Sequence, residues 1–419
     1  NCRSCLKNGK TKKLSFAMQF IVLFGIVSLF SDMTHEGASS IRGAYLALLG
    51  ASAGAIGFIS GLGELIGYSM RYLFGRITDR TRSYWPMVIL GYVLDIIAVP
   101  ALALVGEHGW IAACLLLVVQ RMGKAIKKPA KDTIMSFAAS QEGAGRSFGL
   151  QELLDQIGAF LGPVLLWLVM LGRTDASPIR TYSLCFAVLA IPGGITLLLL
   201  LYTRSRFPNP EQFEPEPKEY IPFRMKKSFI LYIAGISLFA FGFIDYSLIV
   251  MHISRTAALS GAAGLITEET LPLLYAGAML IDAVSALFFG FLYDRIGVRS
   301  LIFSTLLSSG FAVFVFSMHS VPALLVGIAL WGIGMGAQES ILKAAVSSMV
   351  PKSSRATGYG IFECSFGFFW FLGSWLMGAL YDFSIPAMVA VSVAAQLLSI
   401  PLYLASSRQK IREEQPLHE

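Results

Sequence analysis

Apolar stretches of about twenty residues recur along almost the whole chain, each closed by a short polar or charged punctuation, and about twenty is the length at which a helix crosses some 30 Å of hydrocarbon. The pattern predicts spans near 16–36, 44–74, 86–106, 109–127, 147–171, 182–202, 228–252, 272–292, 299–318, 321–343, 357–380 and 384–405. The one long polar connector, 203–227, is rich in proline and charge and cannot span. The pattern therefore divides the chain into a tail at 1–15, a six-helix half at 16–202, the linker at 203–227, a second six-helix half at 228–405 and a tail at 406–419. The fold class expected is an all-α membrane protein with twelve transmembrane helices.

Composition agrees: 55% of the residues are hydrophobic and 14% charged, whereas soluble domains are about 45–50% apolar and about 25% charged. A cleaved signal peptide would leave one apolar stretch near the start, but here they continue to the C-terminal tail. The chain starts at Asn1 rather than Met, consistent with a trimmed start. Basic residues cluster on one side: Arg3, Lys7, Lys10, Lys12 and Lys13 in the N-terminal tail, then Arg76, Arg80, Arg82, Lys127, Lys128, Lys131, Arg146, Arg295, Arg299, Lys352 and Arg355 in the even-numbered loops. The other loops carry only Arg42, Arg173, Arg180 and Arg255, so both termini are expected in the cytoplasm, in a plasma (bacterial inner) membrane. The net charge of +7 is thereby assigned to lipid headgroups rather than to nucleic acid. Of the five cysteines, Cys114, Cys185 and Cys364 lie in apolar spans. Cys2 and Cys5 form a lone CxxC in the basic tail, half of a zinc site, and are read as a plain tail.

The halves repeat. Phe148-Gly149-Leu150-Gln151-Glu152 matches Tyr359-Gly360-Ile361-Phe362-Glu363, with Gly149 and Gly360 standing 211 positions apart, and Gly75-Arg76-Ile77-Thr78-Asp79-Arg80 matches Gly290-Phe291-Leu292-Tyr293-Asp294-Arg295. Repeated six-helix halves are a hallmark of secondary transporters, with the site between them near mid-membrane. The loop Gly75 to Arg82, with its second copy Gly290 to Arg299, resembles the G-x-x-x-D-R-x-G-R signature of the major facilitator superfamily; the first copy lacks the usual second glycine and Gly297 keeps it in the second. The resemblance covers essentially the whole chain. It implies the twelve-helix, two-half fold, transport of a small solute by alternating access, a functional monomer, no cofactor and no covalent chemistry. It also implies a clasp on the cytoplasmic side, where Asp79 and Asp294 would meet the positive N-terminal ends of the eleventh helix near Thr357-Gly358 and the fifth near Arg146-Ser147. Arg80, Arg82 and Arg295 belong to the same motifs. Lys131 with Lys343 and Glu152 with Glu363 repeat between the halves and are assigned to the same gate, because a repeated feature serves the scaffold or gate more readily than an asymmetric substrate.

Arg121 in the fourth span resembles the intramembrane arginine of the family's proton-coupled branch, most like drug/proton antiporters. A buried guanidinium needs a partner, and Asp32 and Glu36, on one face of the first helix, are the expected acids. Gly158-x-x-x-Gly162-Pro163 is similar to the first part of the antiporter signature, but Leu166 and Trp167 stand where its closing glycines belong. Charged groups without a counterpart in the other half, His35, Glu64, Lys124, Asp155, His252 and Asp282, are the substrate-binding candidates, together with Asp245, which corresponds loosely to Asp32. Phe362, Phe366 and Phe369 lie at helical spacing and could line a pocket, with packing as the alternative.

The leading expectation is proton-coupled efflux of a small organic molecule, Asp32 and Glu36 exchanging protons while Arg121 tunes their affinity; a carboxyl holds its proton more tightly when buried and less tightly beside a guanidinium. One alternative is a divalent, iron-like metal exporter using Asp32, His35, Glu36, Asp245 and His252, a carboxylate and imidazole set expected at the outer ends of the first and seventh helices. Another is a receptor or sensor without turnover. Gly50-Ala51-Ser52-Ala53-Gly54 fits a hydrolase motif but has no preceding strand or His partner, and is read as close helix packing. Gly61-x-Gly63-x-x-x-Gly67 has the wrong spacing for a dinucleotide turn, and no phosphate-binding G-x-x-x-x-G-K-[ST] occurs, so ATP is not expected to drive the chain.

Overall fold

The computed structural model describes residues 15–142, 144–173, 177–209, 212, 224–260, 266–350 and 355–414. Every regular element of more than one turn among them is a helix. In chain order these are α1 (Phe16–Leu48), α2 (Ala53–Thr81), α3 (Tyr84–Ala101), α4 (Trp110–Glu142), α5 (Ala144–Leu171), α6 (Pro178–Val188), α7 (Ala190–Arg206), α8 (Lys227–Gly242), α9 (Tyr246–Ser260), α10 (Leu271–Ile296), α11 (Ser300–Ser308), α12 (Phe311–Phe316), α13 (Val321–Met349), α14 (Arg355–Phe383) and α15 (Ile385–Glu414). α6 with α7, α8 with α9 and α11 with α12 are single passes interrupted at Leu189, Phe243–Asp245 and Ser309–Gly310, so the chain crosses twelve times. Among the described residues nine stretches are apolar and long enough to cross a bilayer by composition alone, one of them, Glu268–Phe316, holding two passes. α2 and α4 complete the twelve.

The sequence explains the boundaries. Ser15, Ser52 and Ser320 cap α1, α2 and α13, each side-chain oxygen accepting from a first-turn N–H. Gly50, at φ 98°, makes the turn that Ser52 then closes; Gly50 to Gly54 is thus a turn and cap, not a stretch inside a packed helix. The largest departure from the expected spans is length. α1 runs to Leu48, so Asp32, His35 and Glu36 lie halfway along a helix rather than at its outer end, and Arg42, expected in a loop, is buried inside it. α4 likewise runs past Lys127, Lys128 and Lys131 to Glu142. Hydropathy stops a span at the first cluster of charges, whereas backbone hydrogen bonding continues wherever the charges face inward to partners.

The termini of the described chain share one face, here the near face, where Trp85 donates to the Phe207 carbonyl at 3.0 Å and Ser228 donates to Glu413 at 2.6 Å. Helices of the two halves meet along two main seams, α2 on α14 and α5 on α10. α1 also packs against α9, where a Cβ on Gly43 would strike the backbone of Ser247. Within the first half, α5 lies on α1 so closely that a Cβ on Gly158 or Gly162 would collide with the carbonyl of Leu29 or Met33. Exposed apolar side chains such as Leu104, Leu287 and Phe383 face outward as lipid contacts.

Candidate functional site

Polar residues that cannot face lipid converge where α1, α3 and α4 meet. Lys127 of α4 is buried, its Nζ 2.5 Å from Asp95 Oδ2 of α3, 3.2 Å from Ser31 Oγ and 3.9 Å from the centre of the Tyr92 ring. The pair supplies what a charge in low dielectric needs: an opposite charge, a further oxygen and a ring face. One turn further along α1, buried His35 places Nδ1 2.7 Å from Gln120 Nε2 and 3.9 Å from Asp95 Oδ1, and its Nε2 3.7 Å from Glu36 Oε1. Glu36 is partly exposed and accepts a hydrogen bond from Tyr275 of α10 at 2.5 Å, which carries the cluster into the second half.

Arg121 finds its acid elsewhere than expected. Its guanidinium lies 2.7 Å from Glu64 Oε1 of α2, so the direct partner is a second-helix carboxylate and not Asp32 or Glu36. The reason lies in Gly63, against which the Arg121 side chain is packed; the missing Cβ lets the arginine lie along α2. Asp32 instead shares its surroundings with Asp155 of α5 and with Lys124 and Lys131 of α4. Lys124 in turn lies among Glu36, Arg121, Asp32 and Asp95. Asp32 and Lys124 are partly exposed toward the interior, whereas Lys131 is buried.

The halves are also tied on the face opposite the termini. Arg42 donates to Ser247 Oγ from Nε at 3.1 Å and from NH2 at 2.9 Å, with Asp245 Oδ1 3.8 Å away. Asp245 sits in the break between α8 and α9 and accepts from the Ser247 N–H at 2.8 Å. Nearby, the Gly54 N–H donates to Asp382 at 2.9 Å and Arg255 to the Ala51 carbonyl at 3.4 Å.

The remaining candidates separate. His252 lies 2.9 Å from the Tyr381 hydroxyl, Asp245 faces Arg42 and His35 faces Gln120, so the five residues of the metal reading form no common site; among the described residues no three His, Cys, Asp or Glu side chains could hold a metal ion. Glu363 pairs across the seam with Arg71 at 3.5 Å, and Glu152 accepts from Gln156 of its own helix at 3.3 Å. Asp294, Arg80 and Arg82 are exposed, and Arg295 lies 4.4 Å over the Phe291 ring. The side chains of Asp79, Arg146, Lys343 and Thr357, and Cys2 and Cys5, lie outside the described residues, and so does the expected Asp79 clasp. Asp282 of α10 is 2% exposed, and its Oδ1 has no hydrogen-bond partner. Phe362 and Phe366 are packed, Phe366 5.4 Å from the Tyr68 ring, while Phe369 faces outward; the triplet does not line one pocket.

Sequence reading missed Arg42, Asp95, Lys127, Gln120, Ser247 and Tyr275. Asp95 carried a signal, a lone acid in the apolar run Tyr92 to Val99, which obliges a cation nearby. The serine, glutamine and tyrosine carried none, since such residues are common in spans.

The Major Facilitator Superfamily model matches residues 14–267 and 257–419. An uncharacterized protein of Mycobacterium tuberculosis is 36% identical over 403 residues, 95% of each chain. An uncharacterized MFS-type transporter of Methanocaldococcus jannaschii is 28% identical over 381 residues, 87% of this chain and 89% of that one. Among solved structures, a bacterial homologue of the human lysosomal transporter Spinster, inward-facing and unoccupied, superposes with a TM-score of 0.70 at 12% identity, covering 96% of this chain and 99% of that one.

Proposed function

Because the chain belongs to the Major Facilitator Superfamily, whose members move small solutes across membranes, we propose that it is a proton-coupled carrier, exporting a small organic molecule by alternating access. The near face is assigned to the cytoplasm from the distribution of basic residues, in a bacterial inner membrane. The ties among Arg42, Asp245 and Ser247, between Glu36 and Tyr275 and between Gly54 and Asp382 then close the outer side, and the structure is read as inward-facing. The exposed Asp294 is consistent with an unclasped cytoplasmic side.

The observation that carries the proton reading is the contrast among interior charges. Arg121, Lys127 and Arg71 are each held by one carboxylate within 4 Å. Asp32 and Glu36 are partly exposed halfway along α1, with Lys124 among them and no Lys or Arg of the described residues within 4 Å of either. A carboxyl whose cationic neighbours can approach or recede gains and loses a proton as the helices move. Asp32 is the exchanging group in this account. Glu36 couples it to the outer closure, since protonating Glu36 weakens its charge-assisted bond from Tyr275. Arg121 acts with Glu64 to hold α4 on α2, a revision of its expected role beside Asp32. Solute would enter among Lys124, Glu36 and Asp155.

The test uses everted membrane vesicles carrying a pH gradient read by an acridine dye, challenged in turn with a panel of small organic cations, anions and zwitterions. At least one class should discharge the gradient in wild type and fail to do so in Asp32→Asn. No discharge by any class, or equal discharge in the variant, contradicts proton coupling.

A further inference from the structure

One interior carboxyl stands apart from this machinery. Asp282 lies in mid-course of α10, 2% exposed, with Oδ1 lacking any hydrogen-bond partner. Its helix is pressed against α13 through small residues: a Cβ on Gly336 would strike the Asp282 carbonyl, and one on Gly332 would approach Ala278 and Ile281. The groups facing it from the packed helices are all acidic: Glu339 of α13, Glu152 of α5 and Glu36 of α1. α11 contributes no charge, and Arg299, at the near-face turn after α10, is held by Ser407 at 3.3 Å. No cation among the described residues stands within 4 Å of the Asp282 carboxyl. A carboxylate buried without a counter-ion or hydrogen-bond donors costs several kcal/mol, and the cheaper alternative is the neutral acid.

Resting on the inward-facing reading above, we propose that Asp282 is a proton-binding site of the second half, distinct from Asp32, loaded in that state and emptied when α10 shifts against α13. In the emptying step the O–H bond of the acid breaks and the proton passes to water admitted along the shifted helix, leaving the carboxylate hydrated. The site is asymmetric: by the register that matches Asp294 with Asp79, the first-half counterpart of Asp282 is Gly67. A second proton site in this half would make two carboxyls, one in each half, sense the conformation.

The experiment reads protonation and does not depend on flux, so its failure is distinct from failure of the carrier reading. The full chain in lipid vesicles is examined by infrared difference spectroscopy across a pH series, using wild type, Asp282→Asn and Asp282→Glu. Wild type should show a carboxylic acid C=O band absent in Asp282→Asn and restored, shifted, in Asp282→Glu. Asp282→Asn should melt at the wild-type temperature, because an amide replaces a neutral acid of the same shape. Superimposable wild-type and Asp282→Asn spectra at every pH would overturn the proposal, as would loss of stability in Asp282→Asn that Asp282→Glu does not share.

Discussion

At the scale of single residues, the buried Lys127 and Asp95 pair makes the sharpest stability prediction. Asp95→Asn or Lys127→Met strands one charge in the interior, and breaking such a pair costs about 3–5 kcal/mol. Each single variant should therefore melt well below wild type in a detergent thermal-shift assay, and the double variant should recover much of the loss; additive losses would show that the two do not act as a pair. Glu64→Gln should likewise destabilise the protein, because it leaves Arg121 without its partner at 2.7 Å, whereas Asp32→Asn should melt near wild type. Equal destabilisation by the two would contradict the division into locked and exchanging carboxyls. Much of this was legible in the sequence as types of residue and little of it as pairs. A charge in an apolar run announces that it has a partner, but pairing depends on which helix faces sit together. Arg121 shows the difference: its need for an acid was readable, and its choice of Glu64 over Asp32 was decided by the space at Gly63.

At the scale of elements, the repeated loop motifs fall at the α2–α3 and α10–α11 junctions, while helix ends were misplaced wherever charges lay inside. α1 and α4 overran their expected ends by about three to four turns, because Arg42, Lys127 and Lys131 are interior groups and not loop residues. Gly158-x-x-x-Gly162 is explained here by the packing of α5 on α1, where helix backbones approach too closely for any side chain. Gly162→Leu should thus prevent accumulation of folded protein in membranes, while Gly194→Ala, where a Cβ meets nothing within 4 Å, should be tolerated. Immunoblots of membrane fractions compare the two, and equal accumulation would refute the packing role.

At the scale of the whole molecule, the account requires that the tie of α1 to α9 on the outer side and the separation of the cytoplasmic ends be one equilibrium. Arg42→Ala removes two hydrogen bonds to Ser247, and interhelical hydrogen bonds within membranes contribute about 0.6 kcal/mol on average and up to about 1.7. Losing them should shift the two-state ratio several-fold toward outward-open without unfolding the chain. The most direct measurement is double electron–electron resonance on the full chain with its native cysteines replaced. One spin-label pair is placed on the near face at Gln141 and Ser348, another on the far face at Glu107 and His319. Lowering or raising pH should move the two distance distributions in opposite senses, near-face narrowing accompanying far-face widening, with Arg42→Ala enriching the far-open population and Asp32→Asn abolishing the pH response. Distributions that stay fixed across pH, or that widen and narrow together on both faces, would contradict proton-linked alternating access.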